Sequence, residues 1–204
     1  MLQRTRAEQV LPVYRHFCRR FRTPGAFVQA GCPPVFDRLG LVWREASLRA
    51  LAKALEDKAI PVDRRELLSL PGVGPYIAGA MRSLHFGVRD TIIDANVVRL
   101  YARFFGFSFD GETRRKRWLM NLADELTPRA TSRLYNYGLI DLTRQVCRQI
   151  PACDVCPLAL KCAYPTRAMP GRIMHSLRPS AHLRGDHVTR RLRACQKSVL
   201  GSAR

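Results

Sequence analysis

Acidic residues are scarce in this chain. It sets 16 Asp and Glu against 35 Lys and Arg in 204 residues, a formal net charge of +19. That balance lies outside the ordinary range of globular enzymes, and a polyanionic partner accounts for it. No run approaches the ~18 apolar residues of a bilayer span. No amphipathic basic helix with a bulky apolar face dominates, and the N-terminus shows no signal-peptide pattern. A membrane is thereby set aside, nucleic acid is the expected partner, and the expected compartment is the cytoplasm, at the nucleoid. Strand patterns of any length are also missing, so the fold class is all-α. The length suffices for one core or for two small lobes that share one. In a compartment that keeps thiols reduced, the 7 cysteines read as ligands or free thiols rather than disulfides.

What the chain does contain is organised around residues 67–100, LLSLPGVGPYIAGAMRSLHFGVRDTIIDANVVRL. The pattern predicts a short helix ending at Ser69 or Leu70, a Pro71-Gly72-Val73-Gly74 turn and a second helix from Pro75 to about His85. Two glycines one residue apart allow φ > 0 and leave no Cβ between the backbone and an approaching surface. Pro75 suits a first helical turn, where a missing N–H costs nothing. The turn and helix start thus offer backbone N–H groups and a positive dipole end to an anion, a phosphate above all. Taken alone, Pro-Gly-x-Gly equally describes a tight αα corner without a ligand. Asp94 then stands at the entrance of a further apolar helix, where an N-cap would sit.

The spacing Leu67, Leu70, Gly72, Gly74, Ala78, Met81 matches the helix-hairpin-helix pattern of proteins that grip nucleic-acid backbones. With Ile92-Ile93-Asp94-Ala95-Asn96-Val97-Val98-Arg99 following at this distance, the chain resembles the HhH-GPD superfamily of DNA glycosylases, the group of endonuclease III and the MutY-type adenine glycosylases. The resemblance spans about Leu2 to Tyr164 and implies a two-lobed helical HhH-GPD fold with a four-cysteine iron-sulfur loop. It also implies roles. Asp94 would be the catalytic carboxylate, and Gly72, Val73 and Gly74 would bind the DNA backbone. The segment Gln3, Arg4, Thr5 would supply the residue that wedges into the duplex where the base leaves. Relatives carry several tens of residues ahead of that segment, and adenine glycosylases a catalytic Glu just upstream of it. This chain is expected to lack both.

Residues 1–22 predict a helix that packs with the C-terminal lobe and DNA, with Leu2, Val10, Val13, Tyr14, Phe17 and Phe21 on one face. Pro12 kinks it or sits in a separate turn. Residues 23–127 are expected to form a helical domain holding the hairpin at 67–81. It begins with a Pro/Gly-rich loop, Thr23–Arg38, with a short helix near Phe27. A long helix, Leu39–Ala59, would bury Leu48, Leu51, Leu55 and Ala59, and Asp63 would cap the hairpin's first helix. One helix from Asp94 to about Phe105 and another from Gly111 to Glu125 complete this part. A helix from Pro128 to Val146 opens the iron-sulfur lobe, 128–164. Its Asn136-Tyr137-Gly138-Leu139-Ile140-Asp141-Leu142 segment resembles a family motif in which the Asp is structural. Residues 165–204 hold one acidic residue, Asp186, amid Arg, Ser, Pro and Gly. They read as a basic, disordered tail with nonspecific attraction to DNA.

Cys147, Cys153, Cys156 and Cys162 make C-x5-C-x2-C-x5-C directly after a helix. Four thiolates this close repel one another unless a metal holds them, and spacing alone admits zinc or a [4Fe-4S] cluster. The resemblance selects the cluster, as a structural group, because endonuclease III and MutY relatives carry C-x6-C-x2-C-x5-C at this place and bind [4Fe-4S]. Here the first interval is one residue shorter, and Pro151 lets the shorter loop close. Arg148 and Lys161 read as phosphate contacts or as generic surface charge. Cys18, Cys32 and Cys195 read as core or free thiols.

The implied partner is double-stranded DNA with a mispaired or damaged base, met by a monomer. The implied reaction hydrolyses the N-glycosidic bond of a base taken out of the stack. Its sugar becomes oxocarbenium-like, and Asp94 would stabilise that charge or orient water. In endonuclease III a lysine two residues past the second hairpin glycine attacks C1′ and forms a Schiff base. Tyr76 stands there, and a phenol forms no imine, so a monofunctional glycosylase without lyase activity is expected. Tyr76 with Asp94-Ala95-Asn96 looks like the thymine/uracil mismatch glycosylases. Removal of T or U opposite G is therefore the first expectation, and adenine opposite G or oxidised G the second. A noncatalytic DNA clamp built on the hairpin and cluster is the alternative from another class.

Overall fold

A computed structural model describes residues 7–30, 42–56 and 58–164. Among the described residues every regular element is helical, in line with the sequence. The chain divides into two compact units, Met1–Ala78 and Gly79–Arg204. No helix among the described residues is long and apolar enough to cross a membrane.

In the first unit, α1 (Ala7–Arg20) carries Pro12 in its interior. Thr23 caps α2 (Pro24–Gln29), its hydroxyl accepting from the Ala26 N–H at 3.1 Å. α3 (Val42–Ala54) packs on α2. Phe17, Phe21 and Phe27 form a triangle with ring centroids 5.1, 5.0 and 5.1 Å apart, backed by Leu48 and Ala52. Such tilted and edge-on contacts suit the ring quadrupoles. Arg49 seals the cluster, lying 4.5 Å over the Phe27 ring, donating to the Phe27 carbonyl at 3.0 Å and pairing with Glu45 at 2.9 Å.

Tyr14 is 53% exposed rather than buried, because Val10 and the Phe17–Phe21 pair already occupy the inward face. The long helix stops at Ala54, and Ala59 is exposed beyond it. Pro61 disfavours helical backbone before it, so the chain unwinds through a turn instead. Leu48, Leu51 and Leu55 are half-buried, and Ala52 makes the fully buried contact. Leu2, Gln3, Arg4, Thr5, Cys32, residues 39–41 and 165–204, with Cys195, lie outside the described residues.

In the second unit a π-helical turn, Met81–His85, leads through an irregular segment to α6 (Ala95–Phe105), α7 (Arg117–Leu126) and α8 (Ser132–Asp141). A second π-helical turn, Leu142–Val146, carries the chain to Cys147. Val97, Leu100, Tyr101 and Phe105 of α6 pack against Leu119, Leu122 and Ala123 of α7, Leu139 of α8 and Cys147. The single helix expected over 111–125 is broken at Lys116, which is extended at ψ 131°. Just before it, the Thr113 hydroxyl donates to the Asp110 carboxylate at 2.7 Å and accepts from the Asp110 N–H at 2.9 Å, competing with helical hydrogen bonding. α8 starts at Ser132 rather than Pro128, and the Asp141 expected to be structural is exposed. Asn136, five residues earlier on the same helix, is the fully buried polar residue instead.

The segment between the first π turn and α6 is pinned at several points. Asn136 is fully buried and donates to Ser83 Oγ at 2.7 Å and to the Asp90 carbonyl at 2.9 Å. Arg82 pairs with the buried Asp90 carboxylate at 2.7 Å. Arg89 reaches the Asp124 carboxylate at 2.8 Å and the Thr127 carbonyl at 3.1 Å. A Cβ on Gly79 would lie 2.0 Å from the Thr91 carbonyl oxygen, so only glycine permits this approach. These fasteners fix the backbone that delivers Asp94.

Candidate active site and cysteine loop

The hairpin's first helix, its turn and the start of its second helix belong to the first unit. Asp63 caps α4 (Arg64–Ser69), its Oδ1 accepting from the N–H groups of Arg65 at 2.8 Å and Glu66 at 3.0 Å. The helix ends at Ser69, and Gly72 turns the chain at φ +74°. Gly74 does not share that conformation, contrary to the sequence reading; a Cβ there would meet nothing within 4 Å. Its lack of a side chain leaves open space beside the turn rather than relieving strain. α5 (Pro75–Ala80) follows, held at its start by the Ala78 N–H donating to the Gly74 carbonyl at 2.9 Å. Tyr76 lies in its first turn and is 38% exposed.

Asp94 belongs to the second unit, half-buried at the N-terminus of α6. Its Oδ1 accepts from the N–H groups of Asn96 at 2.9 Å and Val97 at 2.8 Å. Its Oδ2 accepts from the Asn96 side-chain amide at 2.8 Å. The carboxylate is thus oriented by a helix start whose dipole favours negative charge. An ionised carboxylate has about four acceptor sites, so one remains for a reacting group. The hydrogen bonds continue past Asn96. Arg99 donates from Nη1 to Asn96 Oδ1 at 2.9 Å and from Nε and Nη2 to the Cys147 carbonyl at 3.2 and 3.0 Å. Nη2 also reaches the Thr143 carbonyl at 3.3 Å. Burial, then the neighbouring Arg103 guanidinium, pulls Arg99 below its ordinary value, while Cys147 and Asp94 act in the opposite sense.

Cys147 is the residue to which this line of contacts leads, through its carbonyl. It, Cys153, Cys156 and Cys162 are free of disulfides and line one pocket. Burial first, then the neighbouring thiols, push the Cys153 thiol up. Burial also raises Cys162, against a backbone hydrogen bond at Tyr164 that lowers it. Among the described residues no group of three or more His, Cys, Asp or Glu is placed to hold a metal ion. Zinc needs its sulfurs about 2.3 Å from one point. Four thiols lining one pocket are a donor set that zinc or an iron-sulfur cluster would take.

No family model matches the chain. Individual proteins do. A thymine/uracil-DNA glycosylase of Pyrobaculum aerophilum is 32% identical over 170 residues, which cover 78% of this chain and 74% of that protein. The solved structure of a thermostable thymine-DNA glycosylase superposes with a TM-score of 0.72 at 31% identity, covering 80% of this chain and 79% of that one. The chain belongs to the HhH-GPD superfamily of DNA glycosylases. Within that superfamily it is also similar to an adenine DNA glycosylase of Buchnera aphidicola subsp. Baizongia pistaciae, 28% identical over 169 residues, which are 79% of this chain but 48% of that protein.

On this HhH-GPD frame the structure brings Cys147, Cys153, Cys156 and Cys162 together around one pocket and seats Asp94 at a helix start. Arg148 and Lys161 are exposed on the loop. Gln3, Arg4 and Thr5 are outside the described residues. In the sequence, Asn96 and Arg99 stand out only as part of the Asp94 segment and Asn136 only as part of a family motif, and Arg103 not at all. Steps of three and four place Asn96, Arg99 and Arg103 along one side of α6.

Proposed function

We propose that the protein is a monofunctional DNA glycosylase that removes T or U mispaired with G, acting as a monomer on duplex DNA. The observation that carries the reading is Asp94, a carboxylate oriented by three hydrogen bonds at 2.8, 2.8 and 2.9 Å with acceptor capacity to spare. As the glycosidic bond breaks, positive charge builds on the sugar, and a fixed carboxylate stabilises it or orients the attacking water. The hairpin at Gly72, Val73 and Gly74 grips the DNA backbone through main-chain N–H groups, and the open space at Gly74 lets a phosphate approach. Tyr76 supplies no amine, so no Schiff base forms and the strand stays intact. One residue of the segment Gln3, Arg4, Thr5 fills the gap left by the departed base, and Arg148 meets phosphate.

Cys147, Cys153, Cys156 and Cys162 would hold a [4Fe-4S] cluster, which supplies structure to the loop and no step of base removal. A second substrate reading, adenine opposite G or oxidised G, is favoured by the similarity to adenine DNA glycosylases.

The deciding experiment incubates purified protein with duplexes carrying G:T, G:U, A:G and A:oxidised-G pairs, then cleaves abasic sites with alkali. Product from G:T or G:U is expected. Product from the adenine duplexes alone would select the second reading, and binding without product from any would select the noncatalytic clamp. Borohydride added during turnover should trap no covalent protein–DNA adduct; an adduct would refute the monofunctional assignment.

A further inference from the structure

We propose that Arg103 is the positioning residue of the cysteine loop and sets how readily the group held there is oxidised. This rests on reading the loop as a [4Fe-4S] site. Arg103 lies in the last turn of α6, and its guanidinium is engaged by the loop. Nη1 donates to Cys147 Sγ at 3.5 Å and to the Arg148 carbonyl at 2.5 Å, and Nη2 donates to the Gln149 carbonyl at 2.8 Å. The Tyr164 ring covers the guanidinium, its centroid 4.9 Å from Cζ. The Arg103 backbone carbonyl oxygen lies 3.5 Å from Cys162 Sγ, and the next carbonyl, that of Phe104, accepts from the Ala163 N–H at 3.0 Å. One residue therefore touches both the first and the last cysteine of the set. Arg99, by contrast, bonds to the loop only through carbonyls.

Two physical consequences follow from that geometry. A planar guanidinium presents fixed, divergent donors that hold two successive carbonyls and a sulfur at once, which a lysine ammonium on its flexible stem does not reproduce. A cationic N–H donor on a ligand sulfur also stabilises negative charge there. One-electron oxidation of the cluster removes negative charge, so Arg103 opposes that oxidation. The Arg103–Cys147 sulfur contact is partly buried, and partly buried pairs are screened less by salt than exposed ones. Arg103→Gln should raise the oxidised-to-reduced ratio at a fixed potential about tenfold, the size of one charge-assisted hydrogen bond. Arg103→Lys keeps the charge, loses the fork, and should raise it less.

The test uses the full chain as isolated. Iron and acid-labile sulfide are counted first; a protein without them refutes the cofactor reading and this inference with it. With the cluster present, protein-film voltammetry gives the potential of its one-electron oxidation, the electron passing to the electrode. A shift to more negative potential in both variants, larger for Gln than for Lys, is expected. Wild-type potentials in both variants, with iron content intact, overturn the role of Arg103 and leave the cofactor standing. If Arg103→Gln fails to retain iron, Arg103→Lys decides alone: a shifted potential supports the proposal and an unshifted one refutes it.

Discussion

Asp94→Asn separates chemistry from architecture. Asn is nearly as good an N-cap as Asp, and its Oδ1 can keep the N–H groups of Asn96 and Val97, now at 2.9 and 2.8 Å. Stability should change by only a few tenths of a kcal/mol, about 1 °C in Tm. The second carboxylate oxygen becomes an amide NH2 facing the Asn96 amide, a donor against a donor where the wild type has a 2.8 Å hydrogen bond. Turning the Asn96 side chain to relieve that conflict would take its oxygen away from Arg99, which now donates to it at 2.9 Å. The variant thus loses the negative charge and disturbs its orienting partner together. Losing one preorganised electrostatic group costs roughly 2.7–4 kcal/mol of transition-state stabilisation, about 10²–10³ in rate. Single-turnover base release should fall by that factor with enzyme in excess over labelled duplex, while fluorescence anisotropy reports nearly unchanged DNA affinity. Base release within tenfold of the wild type would refute the role of Asp94.

Other substitutions test the frame around that carboxylate. Gly79→Ala places a Cβ 2.0 Å from the Thr91 carbonyl oxygen, overpacking of about 3 kcal/mol. Tm should fall by roughly 6–12 °C in a thermal melt, and an unchanged Tm would refute the close approach. Arg99→Gln leaves the Thr143 and Cys147 carbonyls without their donor and should cost about 2 kcal/mol, with base release slowed because Asn96 is no longer held; urea titration and the single-turnover assay check the two effects. Tyr101 and Tyr135 share a hydrogen bond at 3.1 Å, and burial first pushes both hydroxyls above their ordinary value. The native state then keeps protons that the unfolded chain gives up. That contribution is complete below about pH 10 and is lost as the pH rises further. Tyr101→Phe should flatten the loss of urea stability between about pH 9 and 11, and an unaltered slope would assign the alkaline loss to other groups.

What the sequence makes visible here is what short-range chemistry dictates. Asp63 caps α4 through N–H groups two and three residues on, and Gly72 takes φ +74° within a four-residue turn. Both can be read from a handful of neighbouring residues. The four cysteines are likewise evident from spacing, though the pocket they share is not. Long-range contacts leave no such trace. Gly79 looks like any small helical residue until the Thr91 carbonyl arrives beside it, and Asn136 meets Ser83 from 53 residues away. Element ends were misplaced for a related reason. Ala59 and Gly111 continue a helical pattern in composition, yet Pro61 and the Thr113–Asp110 hydrogen bonds override propensity at those ends.

α6 ties the proposed chemistry to the loop more tightly than either motif suggests alone. Its first turn orients Asp94, its middle turn sends Arg99 to the Cys147 carbonyl, and its last turn sends Arg103 to the Cys147 sulfur. Gly106 ends the helix at φ +76°, where a Cβ would sit 3.1 Å from that of Ala163, so the far side of the loop closes on the same helix. A loop that lost its shape would release two guanidinium groups from fixed carbonyls. One of them, Arg99, directly positions the Asn96 amide that bonds to Asp94. Under the proposed function the cysteine loop would bear on base removal without taking part in it, through the orientation of a carboxylate held by the same helix.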